Sequence, residues 1–163
     1  MEIRRAVMAD VPLIARLNRD VQRLHAAAHG ELFKPAGEGD EIGVWFAAAL
    51  MKPGAQLLIG TVDGEMVGYI YGQRIPYQEN PFRYPLTIGL IDQLSIRPAF
   101  QRRGYGEALL DALVAIFRDA GIARVELSVW AFNDGARHFY ERRGFVTAQH
   151  RMCLELSGAV VGA

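Results

Sequence analysis

Two short stretches hold the residues whose types and spacing suit chemistry. The first is Ile91-Asp92-Gln93-Leu94-Ser95-Ile96-Arg97-Pro98, followed by Gln101-Arg102-Arg103-Gly104-Tyr105-Gly106. An apolar run ends, a basic turn follows, and a long helical pattern opens at a pair of glycines. The first amides of a helix have no partner within it, and the helix dipole is positive there. Glycine lets backbone approach an anion closely, and Arg102 and Arg103 add positive charge. Such a turn can cradle a pyrophosphate. Taken alone it reads more plainly as a tight strand-to-helix connection with solvated arginines. It is not a P-loop, because no Gly-x-x-x-x-Gly-Lys-Ser/Thr occurs. It is not a Gly-x-Gly-x-x-Gly fingerprint either, since position 109 is Leu109 and the turn comes late in the chain.

The second stretch is Asn133, then Ala136, then Phe139-Tyr140-Glu141-Arg142-Arg143-Gly144-Phe145. The two blocks are separated by one helical and one strand-like segment. Gln101 to Gly106 resembles the Gln/Arg-x-x-Gly-x-Gly/Ala signature of the GNAT superfamily of N-acetyltransferases. The second block is similar to that family's short helix and turn beside the thioester. On both blocks, in this order and topology, the chain is identified as a member of the GNAT superfamily.

The resemblance implies roles position by position. Leu94, Ser95 and Ile96 would present backbone groups to the pantetheine arm of acetyl-coenzyme A. That strand would splay from the next, Arg124 to Trp130, and leave a slot for the cosubstrate. Gln101, Arg102, Arg103, Gly104, Tyr105, Gly106 and Glu107 would surround the pyrophosphate, with their amides from Arg102 onward holding it. Asn133 would reach the pantetheine arm, and Phe139 would belong to the same lining. Tyr140 would be the general acid that serves the departing thiolate. Without the resemblance it reads as an aromatic packing a short helix. Asp92 stands where relatives place a carboxylate base, and reads equally as a surface or capping carboxylate. A base is needed because free amines are mostly protonated at neutral pH.

Other residues have weaker claims. His25 and His29 stand four apart near the end of the first helix, which in relatives borders the acceptor site; solvated positions are the plainer reading. No third ligand accompanies them, so no metal is expected. His138 packs or faces water. Trp45, Tyr77, Phe82 and Tyr84 are candidates for the acceptor pocket or for ordinary loop packing. Glu38, Asp40 and Glu41 form an acidic cluster that could attract a cationic amine, though a solvated acidic loop is the plainer reading.

The elements that must position these residues follow from periodicity. Ile3 to Ala6 is short and β-like. Asp10 offers an N-cap before Pro12, and Leu13, Leu17, Val21 and Leu24 predict a helix from about Val11 to His29. Ile42 to Leu50 predicts a second helix. Gln56 to Val62 and Glu65 to Arg74 are strands joined by Asp63-Gly64, a strong hairpin signal. Ile75 to Pro85 holds three prolines and reads as a loop. Leu86 to Ile96 is a strand, Gly104 to Ala120 a helix closed by Gly121, and Val125 to Val129 a strand. Asp134 to Arg143 is a short helix ended by Gly144. Ala148, His150, Met152, Leu154 and Leu156 alternate as a last strand. The expectation is one α/β (α+β) domain over residues 1–163: a mixed, twisted GNAT-type sheet of about six to seven strands with about four helices.

Composition narrows the function class. The chain has 163 residues, of which 51% are apolar, enough for a full core without staples. Eighteen basic residues balance eighteen acidic ones, which argues against a nucleic-acid partner. Cys153 is the only cysteine, read as buried. The N-terminal residues lack a signal-peptide pattern, and no run reaches the ~20 apolar residues of a membrane span. These features predict a cytoplasmic acetyl-coenzyme A-dependent enzyme acting on a primary amine, a small one favoured over a protein N-terminus or lysine. A non-catalytic coenzyme A-binding module and a transferase of longer acyl groups share the same blocks. The family also includes homodimers, though the sequence specifies no interface.

Overall fold

The structure is a computed structural model, and it describes residues 1–37, 40–154 and 156. Five strands form one sheet in the order β1-β2-β3-β4-β5: Glu2–Arg5, Ala55–Val62, Glu65–Tyr77, Leu86–Ile96 and Val125–Leu127. The helices are α1 (Val11–Ala28), α2 (Glu41–Leu50), α3 (Tyr105–Asp119) and α4 (Asp134–Arg142). The first four strands pair antiparallel, and β4 pairs with β5 in parallel. Asp63 and Gly64 both take positive φ, +51° and +78°, as the tight β2–β3 turn requires.

Each face of the sheet carries its own core. Ile14 and Leu17 of α1 and Phe46 and Ala49 of α2 bury against Leu57, Ile59, Tyr69 and Tyr71. On the other face Leu109, Leu110, Leu113 and Phe117 of α3 bury against Leu58, Ile70 and Ile91. Each such fully buried large side chain stabilises the fold by roughly 1.5–3 kcal/mol. Strand side chains alternate between faces, so neighbouring β3 residues serve different cores.

Several expectations need correction. The buried stripe of α1 is Val11, Ile14, Ala15, Leu17 and Asn18, whereas Leu13 and Leu24 are exposed. The Asp10 side chain does not cap α1. It accepts from the Val7 amide and from both terminal nitrogens of Arg4, each at 2.8 Å, and the Arg4 contact holds its carboxyl below the usual range. β3 continues through Pro76 to Tyr77; beyond Gln73 only β4 lies beside it, so a proline is tolerated there. The last strand is not formed: among the described residues the chain after α4 has no regular structure, and Met152, Leu154, Leu156 and Cys153 are exposed. The alternation there meets no neighbouring strand, so the described sheet has five strands rather than six or seven.

Candidate active site

The basic turn leaves β4 through Arg97 and a single 3-10 turn, Pro98–Phe100. Gln101 folds back, and its Nε2 donates to the Ile96 carbonyl at 2.9 Å. Arg102 then takes φ +61° and Gly104 φ +82°, the left-handed region where glycine is at ease and arginine is not. These two positions swing the chain into α3. The amide of Ala108 donates to the Gly104 carbonyl at 3.0 Å, and no side chain caps the helix. The amides before Ala108 therefore stand at the positive end of the helix dipole without a helical acceptor. Arg102 and Arg103 are exposed beside them. Glu107 in the first turn is drawn away by Arg143, the residue after α4 (3.8 Å), which also pairs with Asp111.

The strand that leads into this turn loses a neighbour along its length. β5 pairs with β4 only from Gly89 to Ile91. Past Ile91, β4 keeps β3 on one side: Leu94 pairs with Ile70, Ser95 with Tyr69 and Ile96 with Gly68. Its other side has no strand partner among the described residues, so the sheet is unpaired along residues 92–96 on that side. Asn133 stands beyond β5, where its Oδ1 accepts from the Ala136 amide at 3.0 Å and caps α4. Phe139 brings α4 against the start of α3: a Cβ built on Gly106 would lie 3.7 Å from its ring. Tyr140 sits between Phe139 and Phe145, with ring centroids 5.0 and 5.5 Å away. Burial pushes its hydroxyl up to about 12, so the phenol stays protonated at neutral pH.

On the α1–α2 face the register slips. Tyr71 pairs with Gln93 and Gly72 with Ile91, so Asp92 is the extra residue of a β-bulge. Bulges re-aim side chains and occur beside active sites. Asp92 is an exposed residue, but partial desolvation of its carboxyl on this face raises it above its ordinary value, offset in part by Lys52. A buried triangle stands next to it: Asn18 Nδ2 donates to the Tyr69 hydroxyl and to Gln93 Oε1, and the Tyr69 hydroxyl donates to Gln93 Oε1, all at 2.9 Å. At the C-terminal end of α1, His25 and His29 meet Phe33, Trp130 and Phe132 in a cluster of rings 5.0–5.6 Å apart. α1 therefore reaches across to the segment that follows β5.

A family model described as the acetyltransferase (GNAT) family matches residues 18–145. The chain belongs to the GNAT family. It is 39% identical over 57 residues to mycothiol acetyltransferase of Propionibacterium freudenreichii subsp. shermanii, which is 35% of this chain and 18% of that protein's length. The chain thus spans less than a fifth of that relative. The fold is similar to that of a mutant of the BH1408 protein from Bacillus halodurans (TM-score 0.88, 23% identity, 96% of this chain and 99% of that one). It is also similar to a protein of Clostridium acetobutylicum described as a predicted acetyltransferase and crystallised with acetyl-CoA (TM-score 0.71, 19% identity, 94% and 95%).

In this GNAT chain, Ile96, the turn Gln101–Glu107 and Phe139 meet around the start of α3, while Leu94 and Ser95 lie earlier on β4, paired with Ile70 and Tyr69. Other expectations do not gather there. Phe82 and Tyr84 are 98% and 86% exposed, and Tyr77 is stacked by Arg83, 4.1 Å from its ring centroid. His138 is exposed, as is Asp40, while Glu38 lies outside the described residues. Sequence reasoning missed the Asn18–Tyr69–Gln93 triangle, Tyr71, Lys52 and the rings around His25. The one available signal was Tyr69-x-Tyr71: two phenols on one face of a central strand must both place a hydroxyl inside the protein.

Proposed function

We propose that this GNAT chain is an N-acetyltransferase that moves the acetyl group of acetyl-coenzyme A to a primary amine, with a small amine favoured over a protein N-terminus or lysine. The observation that carries the reading is the conjunction at the start of α3. Uncapped helix amides flanked by Arg102 and Arg103 follow the unpaired side of β4, and α4 brings Phe139 to the start of α3 with Tyr140 packed beside it. A pyrophosphate accepts hydrogen bonds from several amides at once, and a pantetheine arm can pair with a free strand edge. Asn133 would contribute its amide N–H to that arm.

Chemistry divides between two residues. Asp92 takes a proton from the acceptor ammonium, and the neutral amine attacks the thioester carbonyl. The carbon–sulfur bond breaks, and Tyr140 gives its phenolic proton to the departing thiolate. A raised Asp92 pKa makes the carboxylate a better base, and a Tyr140 still protonated at pH 8 keeps the acid loaded. Balanced overall charge is consistent with a small acceptor rather than a polyelectrolyte.

The test is a panel of small amines, amino acids and N-terminal peptides incubated with acetyl-coenzyme A, with thiol release followed. Amine-dependent release supports the reading. Absence of both release and acetyl-coenzyme A binding by calorimetry would end it.

A further inference from the structure

Tyr69 and Tyr71 form an internal comparison. Both are fully buried, stand two positions apart on β3, and point to the α1–α2 face. The Tyr69 hydroxyl is bonded to Asn18 and Gln93. The Tyr71 hydroxyl has no hydrogen-bond partner among the described residues. Leaving a buried polar group unpaired is costly, so one unpartnered phenol beside a satisfied one calls for an explanation.

What surrounds Tyr71 points to the partner it suits. Its ring meets Trp45 edge-on, with centroids 5.5 Å apart at 82°. Trp45 is 39% exposed, so its indole reaches the surface while Tyr71 lies buried behind it. The bulged Asp92 adjoins the residue that pairs with Tyr71, and its negative charge acts on the phenol. Carboxylate, phenol oxygen and indole face are all acceptors of positive charge, and together they match the three N–H donors of a primary ammonium. One such ammonium is already at the rim: Lys52 Nζ lies over the Trp45 ring, 5.7 Å from its centroid.

We propose that Trp45, Tyr71 and Asp92 form the subsite that takes the acceptor as an unhindered primary alkylammonium, and that Lys52 competes for the Trp45 face. The proposal rests on the transferase reading above for its role, but not for its test. Asp92 accepts one N–H and later the proton, the Tyr71 oxygen accepts a second, and the indole face covers the third.

The experiment is a titration of the full chain with n-butylammonium, followed by chemical shift changes. The neutral n-pentanol is the control, and acetyl-coenzyme A is titrated separately into the same samples. The ammonium should bind the wild type and the alcohol should not. Tyr71→Phe should weaken binding about tenfold, the scale of one hydrogen bond to a charged group, while its melting temperature stays at or above wild type. Lys52→Met should tighten binding severalfold. Equal affinity in Tyr71→Phe and wild type, pentanol binding as well as the ammonium, or no ammonium binding would each overturn the subsite. Ammonium binding with no acetyl-coenzyme A binding would keep the subsite and end the transferase reading alone.

Discussion

Desolvation raises the pKa of both Tyr140 and Asp92, and each makes a prediction at the scale of one atom group. Burial holds the Tyr140 phenol up at about 12 rather than 10.0. Tyr140→Phe keeps the ring against Phe139 and Phe145 and removes only the proton donor. Turnover should fall on the order of 10- to 1000-fold, the range of general acid catalysis, with acetyl-coenzyme A affinity nearly unchanged. A mutant with wild-type kcat, measured with chemistry rate-limiting, removes the role. The folded state also prefers the protonated phenol. Stability from this group is therefore whole below pH about 10 and lost as the pH climbs through about 12. Tyr140→Phe should flatten that alkaline slope in thermal melts.

For Asp92 the folded state also resists ionisation. The stability it contributes is present below the ordinary carboxylate range and is lost as the pH rises through its higher folded value. Asp92→Asn should thus melt at or above wild type at pH 7, with the gap closing toward pH 4. The same variant should lose roughly 10²- to 10⁴-fold in turnover. A variant that is both less stable and fully active contradicts both halves.

At the scale of elements, the strand-to-helix turn separates two glycines that look alike in sequence. Gly104 is needed for its backbone: at φ +82° any side chain costs roughly 1–2 kcal/mol, so its replacement tests folding as much as binding. Gly106 is helical, and a Cβ there meets Ile96 and Phe139 at the ordinary contact distances of 3.6 and 3.7 Å. Gly106→Val should therefore leave the fold standing. It should raise the acetyl-coenzyme A dissociation constant by about tenfold or more, the loss of one or two charge-assisted hydrogen bonds. Calorimetry showing unchanged affinity would take the turn out of the site. With Arg102 and Arg103 exposed, affinity should also fall as salt rises past ~0.1 M, where screening acts within ~10 Å.

The elements were legible wherever the signal was local. Asp63-Gly64, Gly121 and Gly144 announce turns by the backbone they need, and Leu109, Leu113 and Phe117 announce α3 by their period. The turn and α4 blocks were legible through resemblance, because their residues are contiguous. Alternation after Phe145 misled because a strand needs a partner, and periodicity cannot supply one. The Asn18–Tyr69–Gln93 triangle was illegible for a related reason: its contacts span 51 and 75 residues of sequence and leave no period. Asp92 was visible as a carboxylate, but its bulge arises from the register of two strands and from no feature of one.

At the scale of the whole molecule, the sheet is graded from its centre outward. β3 has a strand on each side and a helical layer on each face, whereas β5 holds to the sheet by three pairs with β4. Local opening costs least where few contacts must be broken. Amide hydrogen exchange should accordingly be slowest through Tyr69–Tyr71 and faster by orders of magnitude at Val125–Leu127. In the proposed cosubstrate site, β4 would thus be a fixed jaw and β5 a compliant one. A ligand gripped between them has most order to impose on the compliant side. Acetyl-coenzyme A should slow exchange in β5 and the segment up to Asn133 far more than in β4, and its binding should carry an unfavourable entropy from that stiffening.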